Sequence, residues 1–104
     1  MIFEHRTYTL AAGRVPDFVK IYEEYGAPIQ LPILGNLIGV FTTEVGPLNQ
    51  VIHIWGYESM EDRARRRAEL ARHPDWGKYL ERALPLMQAM ENKILVALPW
   101  SPIK

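Results

Sequence analysis

The spacing of apolar positions along this chain switches between a period near two and a period near 3.6, and each switch marks a predicted element. Residues 2–10, IFEHRTYTL, alternate and stop at AAG, which predicts a strand. A helix is predicted from about Val15, with Pro16 at an early position where its missing N–H is harmless. Val15, Phe18, Val19, Ile21, Tyr22 and Tyr25 form its apolar face, opposite Asp17, Lys20, Glu23 and Glu24, and Gly26 is the expected stop. In APIQLPILGN, Pro28 and Pro32 predict a short irregular or helical turn. Residues 36–45 and 50–57 read as two strands joined by a tight turn at GPLN, an antiparallel hairpin.

Ser59-Met60-Glu61-Asp62 has the form of a capping box and opens a helix predicted to reach about Arg72. The run His73-Pro74-Asp75-Trp76 interrupts it. A further helical piece is predicted from Trp76 to Ala89, bent or broken at Pro85, then a last strand over residues 91–98 and a tail around Trp100. The order β-α-β-β-α-β over one domain, residues 1–104, predicts an α+β, ferredoxin-like fold with a four-stranded antiparallel sheet. Right-handed crossovers put both helical layers on one sheet face. The other face is too apolar to meet water alone, so a second copy is expected to cover it in a homodimer.

In the third strand, VIHIWGY, Val51, His53, Trp55 and Tyr57 share one face and Ile52, Ile54 and Gly56 the other. We expect this strand to be buried on both faces, one under the helices and one toward a partner, with the aromatic face lining a cavity.

The stretch GPLNQVIHIWGYESMEDRARRRAEL, with its His-x-Trp-x-Tyr-x-Ser followed by arginines and Leu, resembles the second half of NIPSNAP-family domains. FEHRTYTLAAGRVPDFVKIYEE resembles their first strand and helix, notably Glu4-x-Arg6-x-Tyr8-x-Leu10 and Gly13, and ENKILVALPWSP resembles their last strand. The resemblance implies a dimeric α+β barrel, related in fold to EthD-like proteins and the small antibiotic monooxygenases. It implies no particular reaction and no agreed catalytic set. Animal members, longer than this chain, have mitochondrial and trafficking associations.

Composition narrows the field. Twelve Lys and Arg balance twelve Asp and Glu, so no net field draws nucleic acid or an anionic membrane. There is no cysteine, hence no disulfide frame or thiolate chemistry. No apolar run is long enough to span a membrane, and the opening MIFEHRTYTL is unlike a signal peptide, so a soluble cytoplasmic chain is expected. His5, His53 and His73 lack metal-ligand spacing, and no phosphate-binding or nucleotide motif is present; no metal or cofactor is expected.

His53 is the candidate catalytic residue: a neutral imidazole among aromatics could move a proton, given an orienting carboxylate such as Glu4 or Glu44. It could equally be a hydrogen-bonded core histidine. Arg63, Arg65, Arg66 and Arg67 do not form one basic face at helical spacing, whereas Met60, Ala64, Ala68 and Ala71 form an apolar stripe. The arginines are therefore expected on a solvated face paired with Glu61, Asp62 and Glu69, which argues against a nucleic-acid role. Arg67 borders the stripe and could hold an anionic group or pair with a carboxylate. Arg6 and Tyr8 share a strand face; Arg6 could bind a carboxylate or, more simply, pair with Glu4. Trp76 and Trp100 are read as packing aromatics, with a lid as the alternative. The haem-degrading relatives of this fold use an Asn, Trp and His trio, but Trp55 and His53 lie two apart on one strand, which argues against a trio with Asn36.

The ligand-binding set expected is thus Arg6, Tyr8, His53, Trp55 and Arg67, in a homodimer that binds a small organic ligand between sheet and helices. Two alternatives stand beside it. One is a cofactor-independent monooxygenase or isomerase acting on a small aromatic or polyketide-like molecule; the other is an interaction module with no pocket. Whether the domain is an enzyme is left open. A catalytic chamber would reach ~300 Å³ with converging polar groups and a shifted histidine. A binding module would have the chamber without the shift, and an interaction module a filled interior.

Overall fold

The two strands with the cleanest alternation form over the residues read for them: β1 spans Ile2–Leu10 and β3 spans Gln50–Tyr57. The computed structural model covers residues 1–104. Its sheet is fully antiparallel in the order β2-β3-β1-β4, with β2 at Leu37–Thr42 and β4 at Met87–Leu95. The helical segments α1 (Val15–Ile21), α2 (Ala27–Leu34), α3 (Met60–Arg72) and α4 (Trp76–Ala83) complete the ferredoxin-like α+β order. One sheet and one helical layer make a slab 19 Å thick. No helix is long and apolar enough to cross a membrane.

Gly26 does not end the first helix. A π-helical turn, Tyr22–Gly26, carries the chain from α1 into α2, and the Ala27 N–H donates to the Tyr22 carbonyl five residues back. Pro28 has no N–H to give Glu24, and its ring crowds the carbonyl four residues back; widening the preceding turn relieves both. The glycine is there for space: a Cβ on Gly26 would sit 2.8 Å from the Tyr79 ring. Three other boundaries differ from the sequence reading. The β2–β3 connection is an open loop over residues 43–49 with left-handed backbone at Gly46 and Asn49, rather than a tight turn at GPLN. The helix does break at Pro85, in a 3₁₀ turn at Leu84–Leu86, but no helix resumes after it, so β4 begins at Met87 and ends at Leu95 rather than spanning residues 91–98. β2 is also shorter than residues 36–45.

Ser59 caps α3 as its sequence implies, its hydroxyl accepting from the Asp62 N–H at 3.1 Å. The face that α3 buries is rotated by about a quarter turn from the expected one. Met60, Ala64, Ala68 and Ala71 are exposed, while Leu70 is buried and Arg63 and Arg67 turn toward the sheet. Alternation along the strands then sorts the faces. Glu4, Arg6, Tyr8, Val51, His53, Trp55 and Tyr57 lie under the helices; Phe3, Phe41, Ile52 and Ile54 lie on the outer face.

Candidate functional site

On β1 and β3 the cross-strand pairs beneath the helices are Glu4 with Trp55 and Arg6 with His53. This places a carboxylate, a guanidinium, an imidazole and an indole on one small patch of sheet. Glu4 is the hub of that patch and is fully buried, at 0% exposure. Its Oε2 accepts from Arg63 Nη2 at 2.6 Å and Nε at 3.1 Å, from Asn92 Nδ2 at 2.8 Å and from Arg6 Nη1 at 3.1 Å. Its Oε1 accepts from Arg67 Nη2 at 2.9 Å and more loosely from the Tyr57 hydroxyl at 3.5 Å. Burial alone would push the carboxyl pKa up; the Arg63 hydrogen bonds, the Arg67 charge, the Asn92 bond and Arg6 more than reverse this and hold it at about 2. That buried carboxylate is the physical reason the arginines of α3 turn inward: an ionised group under a helix requires paired cations. Arg66, by contrast, pairs with Asp62 at 2.9 Å as its spacing suggested, and Arg65 joins the same carboxylate at 2.6 Å rather than Glu61 or Glu69.

Beside the hub lies a largely enclosed chamber of about 140 Å³ between sheet and helices. Arg6, Tyr8, His53 and Arg67 line it, with Tyr22, Gln30, Trp76, Tyr79 and Leu80 opposite. Arg6, Tyr8 and Met90 also border an outer depression of about 240 Å³ at β4. The sequence-level set is therefore brought together with one exception. Trp55 stands behind His53, stacked on it at 5.9 Å, and forms no part of the chamber wall.

His53 is 2% exposed and caged by Tyr22 at 5.0 Å and Tyr8 at 5.6 Å between ring centres. Neither of its nitrogens has a hydrogen-bond partner, and the same holds for Trp55 Nε1 and Arg67 Nε. The expected orienting carboxylate is absent, because Glu4 spends its oxygens on arginines and Asn92, and Glu44 lies in the exposed 43–49 loop. Burial, reinforced by the Arg6 and Arg67 charges, pushes the His53 pKa down to about 4. The imidazole is neutral at pH 7. The unfolded chain, with a histidine near 6.5, then binds one more proton between pH 6.5 and 4. Stability should consequently fall by roughly 3 kcal/mol as pH drops through that window. Urea unfolding at stepped pH checks this, and His53→Leu should flatten the slope; an equal slope in the variant would refute it.

The π-helical turn is what brings Tyr22 over His53, with the Tyr22 hydroxyl donating to Gln30 Oε1 at 2.6 Å. Trp76 packs on Tyr79 at 4.8 Å and closes the chamber, combining the packing and covering roles. Trp100 is not a packing aromatic in this chain: it is 79% exposed, on a tail that overhangs the outer sheet face. The Asn–Trp–His trio is not assembled either, since the Asn36 amide lies where a Cβ on Gly56 would point, on the face opposite Trp55 and His53. Sequence reasoning missed Glu4 as the hub, and with it Arg63, Asn92, Tyr22 and Gln30. A usable signal existed, because a glutamate and an arginine occupy the parity of β1 that also carries Tyr8 and Leu10.

The NIPSNAP family model matches residues 3–102. The chain belongs to the NIPSNAP family. A NipSnap homologue from Dictyostelium discoideum is 30% identical over 91% of this chain, which spans 42% of that relative's length. A NIPSNAP family protein from Agrobacterium tumefaciens, known by crystal structure, is 46% identical with a TM-score of 0.96 over 99% of this chain and 98% of that one. An antibiotic biosynthesis monooxygenase shares the fold alone, at 11% identity and a TM-score of 0.66 over 95% of this chain and 100% of that one. The NIPSNAP domain thus has the ferredoxin-like α+β fold with a four-stranded antiparallel sheet that its sequence predicted.

Proposed function

We propose that this NIPSNAP domain is a homodimer that binds a small organic ligand in the chamber between its sheet and helices, with Arg6, Tyr8, His53 and Arg67 as contacts and Trp55 as the support behind His53. One observation carries the reading: the chamber wall contains a histidine that is buried with both ring nitrogens unpartnered. A neutral imidazole has one N–H and one lone pair, and leaving either buried and unpaired costs about 1–3 kcal/mol. An occupant with a donor and an acceptor recovers that cost. A cavity of about 150 Å³ is known to admit a benzene-sized guest, which matches this chamber to a flat molecule of comparable size.

The homodimer rests on the outer sheet face. Phe3, Ile38, Ile54 and Leu95 floor an apolar groove of about 500 Å³ there, overhung by the tail, and Phe41 beside it is 57% exposed. A second copy is the economical cover for such a face.

Catalysis is the second reading, as a cofactor-independent monooxygenase or isomerase with His53 as base. The shifted histidine set out above as a mark of a catalytic chamber is present, and a neutral imidazole beside two guanidinium groups that could hold an enolate favours this reading too. Against it stand the missing orienting carboxylate and a chamber below the ~300 Å³ of a typical substrate site. An interaction module without a pocket accounts less well for the chamber.

Native mass spectrometry on protein purified gently from its own cells tests the first reading. Two chains of 12.0 kDa with an added small mass are expected. Single chains at micromolar concentration would overturn the dimer. Bare dimers that also leave the Trp76 fluorescence unchanged on titration with benzyl alcohol would overturn the pocket.

A further inference from the structure

The charges around the chamber do not balance. Arg6, Arg63 and Arg67 all turn their guanidinium groups to one carboxylate, Glu4, whose two oxygens already accept six hydrogen bonds. A carboxylate offers about four lone-pair sites, so Glu4 has no capacity left for further donors. Asp62, the next buried carboxylate on α3, is engaged by Arg65 and Arg66. The cluster therefore carries two positive charges beyond what it neutralises. Two of its three arginines, Arg6 and Arg67, line the chamber, with side chains only 19% and 20% exposed.

The unpaired atoms have the matching character. Arg67 uses Nη2 on Glu4 but its buried Nε donates to nothing, which leaves half of its planar fork free. The Tyr8 hydroxyl accepts from Arg6 Nε at 2.9 Å, so its own proton is available to donate toward the chamber it lines. His53 brings one N–H more. Donors outnumber acceptors along this wall, and the opposite wall of Tyr22, Gln30, Trp76, Tyr79 and Leu80 is aromatic and aliphatic apart from the Gln30 amide, whose oxygen is taken by the Tyr22 hydroxyl. Excess guanidinium charge with a half-free fork is the arrangement that recognises a carboxylate.

We propose that the chamber is an anion site, and that its ligand is a small aromatic or similarly flat carboxylate whose charged group meets Arg67 and Arg6 while its ring lies among Tyr22, Trp76 and Tyr79. This inference rests on the ligand-binding reading above and specifies the class of ligand. The carboxylate meets the Arg67 guanidinium and takes the Tyr8 hydroxyl proton, and it supplies one of the two counter-charges that Glu4 alone cannot. Simple phosphate or sulfate would satisfy the charge but leave the apolar wall unfilled.

Calorimetric titration of the intact protein with benzoate, benzamide and benzyl alcohol tests this. All three fill the chamber alike, and only benzoate is charged. Benzoate is expected to bind at least tenfold more tightly than benzamide, the loss of one charge-assisted contact being worth about that factor. Its addition should move the ¹⁵N–¹H resonance of Arg67 Nε. Arg67→Gln should bring the ratio of benzoate to benzyl alcohol affinity close to one, and Arg6→Gln serves where that variant folds poorly. Equal affinity for the three probes would overturn the anion inference and leave the pocket standing. Binding by none of them would overturn both, and inorganic phosphate binding as tightly as benzoate would overturn the aromatic part.

Discussion

Glu4→Gln is expected to lower the unfolding free energy by about 3–5 kcal/mol, the cost of breaking a buried ion cluster from one side. The substitution keeps the shape of the side chain and removes its charge. Arg6, Arg63 and Arg67 would then share a largely buried site with no counter-charge, and the new amide N–H groups would face existing donors from Asn92 and the arginines. Against a typical total of about 5–15 kcal/mol, that loss leaves the domain marginal or unfolded. Asp17→Asn is the natural control, because Asp17 pairs with Arg14 at 2.8 Å with both side chains about half exposed. That variant should change stability by less than about 1 kcal/mol. Urea midpoints of the two variants decide the matter, and comparable small losses would mean that Glu4 does not hold α3 on the sheet. The same carboxylate gives an acid limb: with its folded pKa near 2 and an ordinary value of 4.5, its stabilisation is present above pH 4.5 and is lost as pH falls toward 2.

If a second copy covers the outer face as proposed, Ile54→Asp is expected to give single folded chains. Ile54 projects from the outer face of β3, between His5 on β1 and Gly39 on β2, and floors the groove with Phe3, Ile38 and Leu95. In a lone chain it is only half-buried, so a carboxylate there can reach water and the helical side of the sheet is untouched. With a second copy on that face, the same carboxylate would be buried without a partner, once per subunit by two-fold symmetry. A penalty of about 3–5 kcal/mol at each site is at least a hundredfold in dissociation constant. Sedimentation velocity at micromolar concentration reads the change directly, and far-UV circular dichroism confirms that the fold survives. An Ile54→Asp protein that still sediments as two chains would place the interface elsewhere. The expectation is independent of the chamber, which lies on the opposite side of the sheet.

The two predictions separate what holds the fold from what completes the assembly. Glu4 works inside the chain, between sheet and α3; Ile54 works only if something lies against the outer face. The chamber sits between the same sheet and helices as Glu4. Its polar wall and the stabilising cluster share Arg6 and Arg67, so changes at the site will carry a stability cost.

Several features were legible in the residues alone. Alternation in β1 and β3 set both strands to the residue, since a period of two admits no other regular element. Ser59, Pro74 and the pattern of α3 set that helix to its ends, because caps and prolines act locally. The α+β order followed from the same local rules, and the family from the resemblance of whole segments. Other features were decided only in three dimensions. Gly26 reads as a stop, but its role is set by the Tyr79 ring that it lies against, from a helix fifty residues away along the chain. Alanine against arginine spacing on α3 pointed the wrong face inward, because the preference of a helix for burying alanine is weak beside the demand of one buried carboxylate for cations. Glu4 was legible only as a partner for Arg6, which it is, or as a carboxylate for His53, which it is not. Its hub role depends on Arg63, Arg67 and Asn92 arriving from far along the chain, and the chamber exists only because those elements and the Tyr22 turn meet over His53. Local patterns determine elements because their physics is local. Charge balance and empty space are properties of how the elements meet, and the tertiary structure alone decides them.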